Sequence, residues 1–149
     1  MKIGIASDHA GYSTKEQIKE LLNLYEIIDF GNNTYDPTDD YPTYAIKLGE
    51  ALNNKEIDMG IVLCNSGIGV SIACNKVNGV RCAKVDSLDD AKTSRIDNDA
   101  NIIALNANNP VEELKKYIEL FINTSFSEIE RHRRRVEKII NYEQGKKNV

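Results

Sequence analysis

Tryptophan is absent from this chain of 149 residues, proline occurs three times and histidine twice. No apolar run approaches the roughly 18 residues that a membrane-spanning helix needs. The apolar stretch after Lys2 is short and meets Asp8 at once, so the amino terminus does not read as a secretory leader. Cysteine is scarce as well. Cys64, Cys74 and Cys82 are odd in number and lack any C-x-x-C spacing. That speaks against a disulfide framework or a zinc knuckle and for reduced thiols in a cytoplasmic protein. An excess of positive charge is also missing. With 19 Lys and Arg against 23 Asp and Glu, the net charge is −4. This balance argues against nucleic acid or a membrane surface as a partner, though a local arginine cluster can still hold a small anion.

What is there is a single alternating pattern, with no internal repeat and no Pro/Gly-rich linker, so residues 1–149 read as one domain. Short apolar runs at 2–6, 25–30, 59–64, 80–85 and 101–105 predict five strands. Between them, helical spacing brings Ile18, Leu21 and Leu22 together, then Ala45, Leu48 and Leu52. Further helices are expected at 71–77, 87–95 and 111–123. A last basic helix over 127–142 carries Ile129, Val136, Ile139 and Ile140 on one side. Strand and helix alternating in this way predict an α/β fold, a parallel sheet with helices on both faces. Ligands then bind at the carboxyl ends of the strands, which directs attention to loops 7–11, 31–42, 64–71, 86–88 and 106–110.

The loop Cys64-Asn-Ser-Gly-Ile-Gly-Val-Ser71 carries the most chemistry. It follows a buried strand and opens a helix, so its amides converge on the helix's positive end, where an anion or a thiolate is favoured. The plain alternative is a small apolar residue ending a strand, followed by a tight glycine turn. A nucleotide-binding reading competes too, since Gly67-x-Gly69 precedes Asp86 at the end of the next strand. The third glycine of that fingerprint is missing, and the phosphate-loop spacing is absent. Asp8 and His9 end the first strand, as ligand contacts or as caps of the following helix. Arg131 and Arg135 are four apart on one helical face and could clamp a phosphate, or form part of a solvated basic face. Cys74 and Cys82 read as core.

Taken together, KIGIASDHAG at the start, DYP at 40–42, CNSGIGVSIACNK at 64–76, NGVR at 78–81, DNDAN at 97–101 and RHRRRVEKI at 131–139 resemble the family of type B ribose-5-phosphate isomerases and galactose-6-phosphate isomerase subunits. The resemblance spans nearly the whole chain, with the motifs in order. It implies a Rossmann-like three-layer αβα fold with a five-stranded parallel sheet, whose C-terminal helix packs on a partner subunit. It further implies a homodimer or homotetramer with shared active sites, a phosphosugar substrate, and neither metal nor organic cofactor. Cys64 would move a proton between C2 and C1 through a cis-enediolate, with Ser66 beside it. The amides of Gly67, Ile68, Gly69, Val70 and Ser71 would hold the enediolate oxygen. Asp8, His9, Tyr41 and Asn98 match sugar-contacting positions, and Arg131 and Arg135 match phosphate-binding ones, with His132 between them.

Three departures stand out against that family. Asp97 occupies the place of a histidine credited with opening the sugar ring, so Asp97 becomes the candidate acid–base group there. Asn106-Ala107-Asn108 replaces a Gly-x-Arg, and Asn65 replaces a glycine. The expected activity is interconversion of ribose 5-phosphate and ribulose 5-phosphate. Isomerisation of another phosphosugar, one half of a heteromer, and a non-enzymatic sugar-phosphate-binding or nucleotide-binding module are the alternatives.

Overall fold

The computed structural model describes residues 1–146. Five strands, β1 (Lys2–Ser7), β2 (Glu26–Asp29), β3 (Met59–Cys64), β4 (Cys82–Val85) and β5 (Ile102–Asn106), form one sheet in the order β2-β1-β3-β5-β4. Every pairing is parallel, and β1, β3 and β5 are its interior strands. Continuous apolar runs such as MGIVLC arise because a parallel strand is covered on both faces. Side chains alternate between those faces. Ile61 and Leu63 join the core beneath α1 (Tyr12–Leu21), α4 (Leu88–Asn98) and α5 (Val111–Asn123). Val62 and Cys64 point to the other side, toward α2 (Tyr41–Asn53) and α3 (Ile68–Cys74). The three-layer αβα arrangement expected from the sequence is therefore present.

Local chemistry sets the helix ends. Ser87 caps α4 by accepting the Asp90 N–H at 3.1 Å, and Asp89 and Asp90 lie in the first turn, where the helix dipole favours negative charge. In α5 the buried residues Leu114, Tyr117, Ile118, Phe121 and Ile122 repeat at helical spacing, and each such side chain contributes about 1.5–3 kcal/mol when fully covered. Burial of Lys15 is less expected from α1's sequence. Its side chain is fully buried and its Nζ meets Asp29 at 2.5 Å and Glu16 at 2.9 Å.

Two boundaries move. The third helix begins at Ile68 and ends at Cys74, not over 71–77, because Gly67 in the left-handed region (φ 75°) turns the chain into the helix immediately after the strand loop. The last helix, α6 (Glu130–Glu143), buries Val136 and His132, whereas Ile129 and Ile139 stay about half exposed in the single chain. Asn101 receives the chain at the amino edge of β5 through bonds to Arg81 and Gly79. Ser127 N–H donates to Ile96 O and Gly79 N–H donates to Glu143, which ties α6 to that same amino edge. No helix among the described residues is long and apolar enough to cross a membrane.

Candidate active site

At the carboxyl edge of the sheet, β1 and β3 run side by side with Ser7 opposite Leu63, so Asp8, His9 and Cys64 emerge as neighbours. The thiol of Cys64 is buried, 5% exposed, and its Sγ accepts the Gly67 N–H at 3.2 Å. Ser66 Oγ accepts the Ile68 N–H at 3.2 Å, and Ser71 N–H closes back on Gly67 O. Among the described residues, the amides of Gly69 and Val70 have no acceptor within the chain, and both open α3. Two glycines are sterically required here. A Cβ on Gly67 would stand 2.9 Å from the Leu105 carbonyl carbon, and one on Gly69 would stand 2.7 Å from the Tyr41 ring. Tyr41, the first residue of α2, therefore lies flat against the opening turn of α3.

Asp8 is buried, and Oδ1 accepts the Gly11 N–H at 3.2 Å. Burial raises its pKa above the usual carboxylate range, against the pull of that amide and of His9. His9 is one-third exposed, and its Nδ1 lies 2.6 Å from Asp39 Oδ1. The bond to Asp39 raises the pKa of His9, with partial burial opposing it and the charge of Asp8 adding to it. Asp39 also accepts the His9 backbone N–H at 2.8 Å and the Asn32 amide at 2.8 Å. Its link to His9 spans 30 residues, and sequence spacing gave no signal for it. Buried Ser7 Oγ and Asn32 Oδ1 find no partner within the described residues. A cleft of 580 Å³ lies beside this network, lined by Asn32, Tyr35, Tyr44 and Lys47 among others, but Cys64 does not line it.

The remaining site residues read from the sequence sit elsewhere in the single chain. α4 leaves the carboxyl edge at Leu88 and reaches the amino edge at Asn98, so Asp97 and Asn98 stand at the opposite end from Cys64. A five-residue strand separates the two edges by about 16 Å. Arg131 and Arg135 belong to α6 at that same end, and both are exposed. His132 is buried between them. Its Nε2 accepts from Arg131 Nε at 3.0 Å, and its Nδ1 lies 2.8 Å from Ser127 Oγ and 3.5 Å from Asp97 Oδ1. Arg134 pairs with Glu130, while among the described residues neither Arg131 nor Arg135 meets a carboxylate. Two of the three departures noted in the sequence touch each other: Asn108 Nδ2 donates to both the carbonyl and the side-chain oxygen of Asn65, at 2.8 and 2.9 Å. No group of three His, Cys, Asp or Glu side chains among the described residues is placed to hold a metal ion. Cys74 is fully buried, as read from the sequence, whereas Cys82, also read as core, is partly exposed and packs against the core from the edge strand β4.

The chain can be set beside known proteins on this geometry. A solved ribose-5-phosphate isomerase B from Clostridium thermocellum superposes with a TM-score of 0.92 at 40% identity, covering 97% of this chain and 99% of that one. The structure of ribose-5-phosphate isomerase B from Mycoplasma genitalium, solved with bound ribulose-5-phosphate, gives 0.90 at 37% identity over 96% of each chain. Ribose-5-phosphate isomerase B of Mycobacterium tuberculosis is 37% identical over 146 residues, 96% of this chain and 90% of its own length. Residues 3–139 match the family described as Ribose/Galactose Isomerase. With a shared fold and similarity over almost its entire length, the chain belongs to the ribose/galactose isomerase family.

Proposed function

We propose that the protein is an aldose–ketose isomerase interconverting ribose 5-phosphate and ribulose 5-phosphate in the cytoplasm, with residues 1–149 acting as one catalytic domain. The observation that carries the reading is the near-complete match to ribose-5-phosphate isomerases B, one of them solved with bound ribulose-5-phosphate, together with a buried thiol at the carboxyl edge of β3. In its ionised form Cys64 removes the hydrogen from C2 of the open-chain aldose. The electron pair moves into a C1–C2 double bond and the carbonyl π pair moves onto O1, giving a cis-enediolate with its negative charge on O1. The O2 hydroxyl proton passes to O1, the proton on sulfur is delivered to C1, and O2 becomes the carbonyl, which returns Cys64 to its ionised form with atoms and charge in balance. Within the 66–71 loop, the amides of Gly69 and Val70, which have no acceptor among the described residues, lead in stabilising the oxyanion, and removing one such donor costs about 3 kcal/mol.

Asp8, His9 and Tyr41 contact the sugar. Arg131 and Arg135 bind its phosphate, and Asp97, with Asn98 beside it, serves ring opening. The last four residues sit at the amino edge of the sheet, so they reach a Cys64 site in a second copy of the chain, and the working unit is a homodimer or homotetramer. Two guanidinium groups that meet no carboxylate among the described residues fit a surface that receives an anion.

The test is formation of ribulose 5-phosphate from ribose 5-phosphate by the purified chain with chelator present. We expect turnover, and a loss of about 10²- to 10⁴-fold in Cys64→Ala with the fold intact, the range for a positioned acid–base group. Full activity in that variant would remove the cysteine mechanism. Absence of turnover with ribose 5-phosphate alongside turnover of galactose 6-phosphate would transfer the assignment to the other substrate in the family's description.

A further inference from the structure

Asp39 is a carboxylate with a side chain only 5% exposed, yet it meets no lysine or arginine among the described residues. Such a charge needs hydrogen bonds from every side. Oδ1 accepts from His9 twice, through the backbone N–H at 2.8 Å and through Nδ1 at 2.6 Å, and Oδ2 accepts from Asn32 at 2.8 Å. Burial raises the pKa of the nearby Tyr44 phenol, and the charge of Asp39 adds to it. The ring of Tyr35 stands edge-on to His9 with centroids 6.5 Å apart. A carboxylate accepts and cannot donate to the ring, so Nδ1 must carry the hydrogen. Nε2 is then the one ring nitrogen without a partner in the described residues, on a side chain that remains one-third exposed.

We infer that Asp39 is the positioning residue for His9: it holds the ring by Nδ1 and the backbone, and so fixes Nε2 as the atom offered to the phosphosugar. This rests on reading His9 as a sugar-phosphate contact. The groups facing His9 are Asp8 on its own loop, and Asp36, Tyr35 and Asp39 on the 31–40 loop. Among the described residues the charges acting on it are three carboxylates, which favour the imidazolium. The bond to Asp39 raises its proton affinity most, and Asp8 adds to this against partial burial. With Nδ1 held by Asp39, His9 turns Nε2 to a substrate oxygen, and in its protonated form that atom is a charged N–H donor suited to the anionic end or a hydroxyl of the sugar.

The experiment combines ring ¹⁵N chemical shifts of His9 as a function of pH with steady-state kinetics on Asp39→Asn, Asp39→Glu, His9→Gln and the Asp39→Asn/His9→Gln double variant. Circular dichroism confirms the fold of each, and Asp39→Glu provides the charge-keeping comparison. In the wild type the shifts should report Nδ1–H in both protonation states. Asp39→Asn should lower the pH at which His9 loses its proton and raise KM about tenfold, with kcat within about twofold, a change equivalent to 1.4 kcal/mol of binding. In the His9→Gln background the same substitution should leave KM unchanged. An unaltered His9 titration in Asp39→Asn, or a KM effect that persists at full size without His9, would overturn the assignment. If the wild type turns over neither ribose 5-phosphate nor a hexose 6-phosphate, the functional reading fails separately. The nitrogen shifts still decide whether Asp39 sets the state of His9.

Discussion

Asp8 illustrates how a single buried carboxyl couples function to stability. Burial holds its pKa above the unfolded value of 3.8, so ionisation is easier in the unfolded chain. Above the folded pKa the charged group therefore opposes folding, and the penalty vanishes as pH falls below the unfolded value. Asn retains an oxygen for the Gly11 N–H, which is 3.2 Å away. Asp8→Asn should accordingly raise the melting temperature at pH 7, with the difference shrinking toward pH 4, while it impairs substrate turnover. Thermal unfolding of both proteins across that range checks the sign. A variant less stable at pH 7 than the wild type would contradict it. Stability given up at a position where the chain needs a charge is a familiar mark of a working site.

Helix α1 is held to β2 by Lys15 from within the fold. Its ammonium is fully buried against Asp29, which Lys19 also reaches at 2.7 Å. Burial alone would push Asp29 up, but the two lysines and the Gly31 amide outweigh it and hold the carboxyl below its usual range. A lowered carboxylate contributes stability above its unfolded value of 3.8 and loses it as pH falls through the folded one. Removing one member of a buried pair costs about 3–5 kcal/mol, but Lys19 remains to serve Asp29. Lys15→Ala should thus destabilise by about 3 kcal/mol, at the low end of that range. Lys15→Met, which keeps most of the packed stem, should cost less. Urea unfolding at pH 7 and pH 3 measures both effects, and the difference between wild type and variant should narrow at the lower pH.

At the scale of the whole molecule, the proposed site residues divide between the two ends of the sheet. Cys64 stands at the carboxyl edge, whereas Asp97, His132 and Arg131 form a contiguous group at the amino edge, linked by contacts of 3.0 and 3.5 Å. If each site draws one half from each of two copies, Cys64→Ala and Asp97→Ala chains, inactive alone, should complement when dissociated and reassociated together. In a mixed dimer one site collects both defects and the other collects none. Random pairing makes half the dimers mixed, so about a quarter of wild-type activity should return. No recovery on mixing, with mixed dimers demonstrated by mass spectrometry, would place the working groups on one chain.

Strand and helix order could be read from the chain, because apolar runs and helical spacing are local consequences of covering a parallel sheet on both faces. The position of Cys64, the glycine loop and the Asp8–His9 pair at the carboxyl edge was legible for the same reason, since each of these follows a strand of a parallel sheet. The start of α3 was misjudged by three residues, since the left-handed turn at Gly67 is a backbone choice that no side-chain pattern announces. Asp39 was invisible as a partner of His9, and the burial of Lys15 was equally so. Each depends on a residue 14 to 30 positions away that only the folded chain brings within hydrogen-bonding reach. Which end of the sheet carries Asp97 and the arginines was also a matter of folding. Motif order says that these residues occur, but the direction in which α4 and α6 run decides which edge they face.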